Sequence, residues 1–263
     1  MSQTLRYLYN CNKKKIWAIY FGFITISLIL LFNMKGCTGV RFSSRQDITL
    51  IIFIFLFCIT AFSIFLLALS SFRQIVRGSM IWYAAIPSKK YIYANLLLFV
   101  IMFSLLSLIG IAFLHFLSIN IYGNKANGEV QQAISSLYNY GLLHHLFSLF
   151  LWIIDLVSTL VSLYFIIIVV KLFNLKSSLN KMLFIILFVV FGGIQFFITN
   201  MIDKINIYVF SIKNVGVIDK NGFFETSFYL SDTSNISYLI FNLLSIYLLV
   251  VITSHIIDKK LEV

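Results

Sequence analysis

The chain has 263 residues, of which 60% are hydrophobic and 11% charged, with a mean hydropathy of +0.97. No water-soluble domain of this length needs so much apolar surface, and the stretches between apolar runs are too short for a soluble catalytic domain. The net charge of +11 is split among loops without an aromatic stacking platform, which argues against a nucleic-acid partner.

Six apolar runs follow one another: Ile16–Met34, Ile48–Leu69, Ile92–Ile121, Leu142–Val170, Met182–Thr199 and Ile236–Ile257. A bilayer core of about 30 Å takes ~20 apolar residues at ~1.5 Å rise each, so every run reaches or nearly reaches a span. Hydrocarbon offers no partners to backbone N–H and C=O groups, which makes continuous helices the expected solution. The runs lack the alternation of barrel strands. The expected fold is therefore all-α: a polytopic membrane protein with six transmembrane helices in one domain, residues 1–263.

Before span one, Ser2–Lys15 places Leu5, Leu8 and Tyr9 at helical spacing, with Arg6, Lys13 and Lys14 elsewhere around the helix. That pattern predicts an N-terminal interface helix with lysines near anionic headgroups, or else a basic tail. Span one is longer than a signal-peptide core, and Met34–Gly39 has no clear A-x-A site, so it reads as a retained anchor. Cys11, Cys37 and Cys58 fall at three depths, leaving neither a disulfide framework nor a C-x-x-C metal site; small buried or incidental thiols are expected.

The loop after span two is amphipathic. Arg73 and Arg77 share a face at i, i+4, while Phe72, Ile75, Val76, Met80 and Ile81 are apolar. Pro87 is the only proline; it ends any helix from upstream and biases Ile86 away from the α region. A short helix lying on the membrane surface is expected, then a break at Pro87 with Lys89 and Lys90, then span three. Such a helix could dock a cytoplasmic partner or simply snorkel its arginines to lipid phosphates. Spans three and four are long enough to require tilt, projection or a break, and Gly110 is a candidate break. His115 beyond it reads as hydrogen-bonded structure.

The longest loop, Asn200–Asn235, has strand-like alternation at Ile205, Ile207 and Val209, then an Asp219–Gly222 turn signal before Phe223–Tyr229. Asn221-Gly222 is the preferred type I′ pair, so a small hairpin fits, as do apolar segments dipping into the outer leaflet. Asp232, Thr233, Ser234 and Asn235 are N-cap candidates for span six.

Thirteen basic residues lie on one side of the predicted membrane: Arg6, Lys13, Lys14, Lys15, Arg73, Arg77, Lys89, Lys90, Lys171, Lys176, Lys181, Lys259 and Lys260. Seven lie on the other: Lys35, Arg41, Arg45, Lys125, Lys204, Lys213 and Lys220. The positive-inside rule places both termini in the cytoplasm. Heavy use of Phe, Ile, Lys, Asn and Tyr fits an AT-rich bacterial coding bias, hence a bacterial cytoplasmic membrane.

Asp155 is the only charged residue deep within a span. A carboxylate there costs roughly 2.5–3.5 kcal/mol on insertion scales, so it should face protein or water and be protonated or hydrogen-bonded. Ser158 and Thr159 lie one turn on, and by depth Gln195 and Asn242 share its layer. Interhelical hydrogen bonding is one role for this polar layer; facing a dimer axis or a substrate path is the other. His144 and His145 lie about 15 Å away along the helix, too far to pair with Asp155. H-E-x-x-H, G-x-S-x-G and G-x-x-x-x-G-K-[ST] are all absent, so neither enzymatic activity nor a bound cofactor is expected, and ATP with Mg would be held by another polypeptide.

The stretch from Phe72 to Arg77, with Tyr83-Ala-Ala-Ile-Pro87-Ser-Lys-Lys-Tyr-Ile-Tyr-Ala-Asn95, resembles the coupling region of permease subunits of type-2 ABC exporters. Asn95 stands where that family often has Lys. The six-span layout is similar too. The resemblance implies a homo- or heterodimer of permease subunits carrying two separate ABC ATPase subunits, with Phe72–Ile81 as the ATPase-coupling helix. It also implies a path at the dimer interface formed mostly by spans one, two and five. An aromatic, apolar path among membrane lipids suits an amphipathic cargo such as an antimicrobial or cytolytic peptide. The alternatives are a membrane immunity or sensor protein that binds a peptide without pumping, and a secondary transporter.

Overall fold

In the computed structural model, the described residues are 2–35, 41–77, 87–122, 142–173, 176–204 and 233–260, with the short segments 208–211, 216–218 and 225–227. Six helices contain these spans: α1 (Ser2–Lys35), α2 (Arg41–Arg77), α3 (Ser88–Tyr122), α4 (Leu142–Leu172), α5 (Ser177–Asp203) and α6 (Ile236–Lys260). All six are long and apolar enough to cross a membrane, so this is an all-α, multi-pass membrane protein. Each exceeds the ~20 residues that a bilayer core needs, so the helices tilt or project beyond it.

The helices alternate in direction. Asn12 of α1 reaches Ser71 near the end of α2, Ser88 at the start of α3 meets Asp258 near the end of α6, and Lys171 near the end of α4 reaches Val76 of α2. Both termini of the helical bundle therefore lie at one end, called here the terminal end. The other end carries the connection from α5 to α6, where four short strands form two antiparallel ribbons. Strand β1 (Tyr208–Ser211) pairs with β4 (Thr233–Asn235), and β2 (Gly216–Ile218) pairs with β3 (Glu225–Ser227). The expected hairpin is thus two ribbons, one nested within the other. Its turn residues Asn221 and Gly222 lie outside the described residues. Strand β4 runs directly into α6, which starts at Ile236 immediately after the predicted cap residues.

The core lies where α1, α2 and α3 pack together and α3 meets α4 and α6. Phenylalanines fill it: Phe53 of α2 stacks on Phe113 of α3 with centroids 4.2 Å apart, and Phe23 of α1 tilts against Phe53 at 5.9 Å. Offset and tilted ring pairs of this kind add to the area that they bury. The Tyr20 hydroxyl of α1 donates to the Met102 carbonyl of α3. Toward the terminal end, Phe72 stacks on Tyr164 at 3.9 Å. Beside this stack Asn95 Nδ2 donates to the Ala68 carbonyl at 2.9 Å and to the Tyr164 hydroxyl at 2.7 Å, tying α2, α3 and α4 with one carboxamide.

Two sequence expectations change. Helix α1 runs unbroken from Ser2, so the segment expected as a separate interface helix is the start of the span-one helix. Its apolar face is taken by protein instead of lipid: Leu8 is buried, Leu5 and Tyr9 pack on the core, and Asn12 bonds Ser71. Gly110 does not break α3, which is continuous from Ser88 to Tyr122. It is a close-packing position, where a Cβ would stand 2.9 Å from the Phe57 ring. Cys11 and Cys58 are free and exposed, which leaves the incidental one of the two expected kinds of thiol, and Cys37 lies outside the described residues.

Candidate functional site

Near the ribbon end, α4, α5 and α6 enclose a polar cavity of about 130 Å³ lined by Asp155, Ser158, Thr159, Gln195, Phe196, Thr199, Tyr238, Phe241 and Asn242. Each helix supplies one turn of its surface. Asp155, Ser158 and Thr159 are spaced i, i+3, i+4 on α4; Gln195 and Thr199 are i, i+4 on α5; Tyr238 and Asn242 are i, i+4 on α6. Helical spacing thus converts three short polar patterns into three walls facing a common space.

Asp155 is the centre of the cavity. Asn242 Nδ2 donates to its Oδ1 at 2.9 Å, and the Tyr238 hydroxyl donates to the same oxygen at 3.2 Å. Both donors support negative charge on Oδ1. Oδ2 has no hydrogen-bond partner among the described residues, and no basic side chain there pairs with Asp155. Thr159 helps differently from the sequence expectation: its Oγ1 donates to the Asp155 backbone carbonyl at 2.9 Å, not to the carboxylate. Ser162 makes the same backward bond to the Ser158 carbonyl at 2.8 Å, and its Oγ receives Gln195 Nε2 at 3.4 Å. The Gln195–Ser162 bond joins the α4 and α5 walls.

The predicted layer of Asp155, Gln195 and Asn242 is brought together, with Asn242 in direct contact and Gln195 across the cavity. Sequence reasoning missed Tyr238, Thr199, Phe196 and Phe241. The signal was available for two: Tyr238 lies four residues before Asn242 and Thr199 four after Gln195, each on the face already identified. His144 and His145 fall in α4 and His115 in α3, but their side chains lie outside the described residues. Among the described residues no three His, Cys, Asp or Glu side chains gather as a metal site.

The second predicted site, the coupling region, is placed differently. Phe72–Arg77 is the end of α2, not the start of a separate surface helix. Phe72 and Val76 are buried against the bundle, Arg73 is exposed, and the side chains of Ile75 and Arg77 lie outside the described residues, as do Met80 and Ile81 entirely. The apolar face is turned inward, where Phe72 stacks on the Tyr164 ring. Pro87 is exposed immediately before α3, as its helix-breaking chemistry predicts, and the Lys90 amide bonds its carbonyl at 2.9 Å. Lys89 lies over the rings of Tyr93 and Tyr247, with centroids 5.9 and 5.5 Å away, while Lys90 is exposed.

Both ends of the connection 78–86 are capped by other helices. Lys171 Nζ donates to the Val76 carbonyl at 2.7 Å, and the Ser88 amide donates to Asp258 Oδ1 at 3.3 Å. A cation at a helix C-terminus and a carboxylate at an N-terminus each match the orphan backbone groups and the dipole there. Comparison with protein families, with curated proteins and with solved structures gave no match to this chain.

Proposed function

We propose that the chain is the membrane subunit of a bacterial exporter driven by a separate ABC ATPase, with both termini in the cytoplasm and an amphipathic cargo such as a peptide. The observation that carries this reading is the junction at the terminal end. There α2 projects past its span to Arg77, the chain re-enters at Pro87, and α4 and α6 cap the two flanking helix ends. A motor protein that pushes on a membrane subunit needs such a junction, basic at its surface and rigidly joined to the bundle. Arg73, Gln74 and Lys90 are exposed there and available to an acidic groove on a soluble partner. Phe72 and Val76 contribute by anchoring the junction, so docking falls to the charged side chains and the segment beyond Arg77.

Gentle affinity purification of the tagged chain from its native membrane, with mass spectrometry of the eluate, tests this. A stoichiometric soluble partner carrying a Walker A sequence is expected. Arg73→Glu with Arg77→Glu should release that partner while leaving the membrane subunit folded, since Arg73 makes no buried contact. Absence of any ATPase in several mild detergents, or an intact complex in the double variant, would shift the reading to a peptide-binding immunity or sensor protein.

A further inference from the structure

We infer that the cavity around Asp155 is a binding site for the ammonium group of an amphipathic amine. The inference goes beyond the motor-driven reading and does not depend on an ATPase.

The charge balance of the site sets the sign of the ligand. One carboxylate lies in the membrane part of α4 and lines the cavity, two donors support charge on Oδ1, and Oδ2 has no hydrogen-bond partner among the described residues. A buried charge without a counter-charge is costly, and one positive charge completes this site. The other polar atoms suit a cation as well: hydroxyl oxygens of Ser158, Thr159, Thr199 and Tyr238, and the Gln195 carboxamide.

The lining also selects the kind of cation. Calcium and magnesium are held by several carboxylates and carbonyls in a tight shell, and one carboxylate does not provide it. A volume of about 130 Å³ far exceeds what a single bare ion needs. Phe196, Phe241 and Tyr238 add aromatic surface, which attracts an ammonium through the ring quadrupole and packs against the carbon attached to it. Phe196 is 70% exposed and Thr159 is exposed at the rim, so the cavity opens on the apolar outer side of the bundle. A ligand arriving there comes through lipid, which favours an amine carrying an apolar body over a hydrophilic one.

The test uses the purified full chain in lipid nanodiscs, with thermal unfolding followed in benzylammonium chloride, in benzyl alcohol, and in sodium chloride at equal concentration. Saturating benzylammonium should raise Tm by about 3 °C or more relative to both controls. Asp155→Asn should abolish the difference, and Gln195→Leu, on the exposed helix α5, should weaken the apparent affinity several-fold. An equal response to benzyl alcohol would mean apolar partitioning only, and an equal response to sodium would mean a site for inorganic cations. Either result, or a response retained in Asp155→Asn, overturns the inference. The comparison among the three solutes stands on the wild-type protein even where Asp155→Asn fails to fold. Because no ATP or ATPase is present, the outcome is separate from that of the co-purification.

Discussion

At the scale of single residues, the polar side chains inside the bundle do two different kinds of work. Asn95 and Tyr164 are buried, and their bonds run between helices to the Ala68 carbonyl and to each other. Their role is attachment. Asn95→Ala removes both bonds donated by its carboxamide and is expected to cost about 1 kcal/mol, while Tyr164→Phe costs less because the Asn95–Ala68 bond survives. Thermal unfolding of the two variants in detergent checks the order. Asp155, by contrast, also lines a cavity. The sequence made Asp155 conspicuous because a lone carboxylate in an apolar run is costly without a partner, whether that partner is a neighbouring helix or a ligand. It marked Asn95 only as standing where the resembled family often has Lys, and only the approach of α2 and α4 reveals what it binds.

At the scale of elements, the number of helices was legible and their ends were less so. Length and hydropathy report how much chain sits in lipid, but the same apolar face can be covered by lipid or by protein. Leu8 and Phe72 show the difference: each belonged to a segment expected to lie on the membrane surface, and each is buried in the core from a position on a continuous helix. Gly110 is a further case, where the missing side chain serves close packing against Phe57 and not a break. Gly110→Leu is therefore expected to push α2 from α3 and lower Tm by several degrees, a cost of about 1–3 kcal/mol for overpacking. A helix interrupted at Gly110 would instead have been stabilised by a better helix former. The start of α3 just after Pro87 was legible because its cause is local and covalent.

At the scale of the whole molecule, the alternation of helix direction gathers the predicted cytoplasmic basic residues at one end, with Arg6, Lys13, Lys14, Arg73 and Lys90 exposed there. Such a belt of positive charge resists translocation, so a fluorescent protein fused after Val263 should fold and fluoresce, while an alkaline phosphatase fused there should be inactive. The reverse pattern would invert the proposed orientation. Around the bundle, α5 is the most peripheral helix, with Met182, Ile185, Val189, Phe196 and Phe197 all largely exposed. Outside the polar wall that Gln195 and Thr199 form, so apolar a surface belongs in lipid or against another membrane surface.

The two caps at the terminal end carry a consequence for motion. Asp155 and Lys171 are sixteen residues apart on α4, and Asn242 and Asp258 are sixteen apart on α6. Each interval is about 24 Å of unbroken helix. The same two helices that grip one another through the carboxylate thus grip the flanks of the connection 78–86 at their far ends. A force applied at the junction therefore acts on the far ends of the same two helices that meet at Asp155 and Asn242.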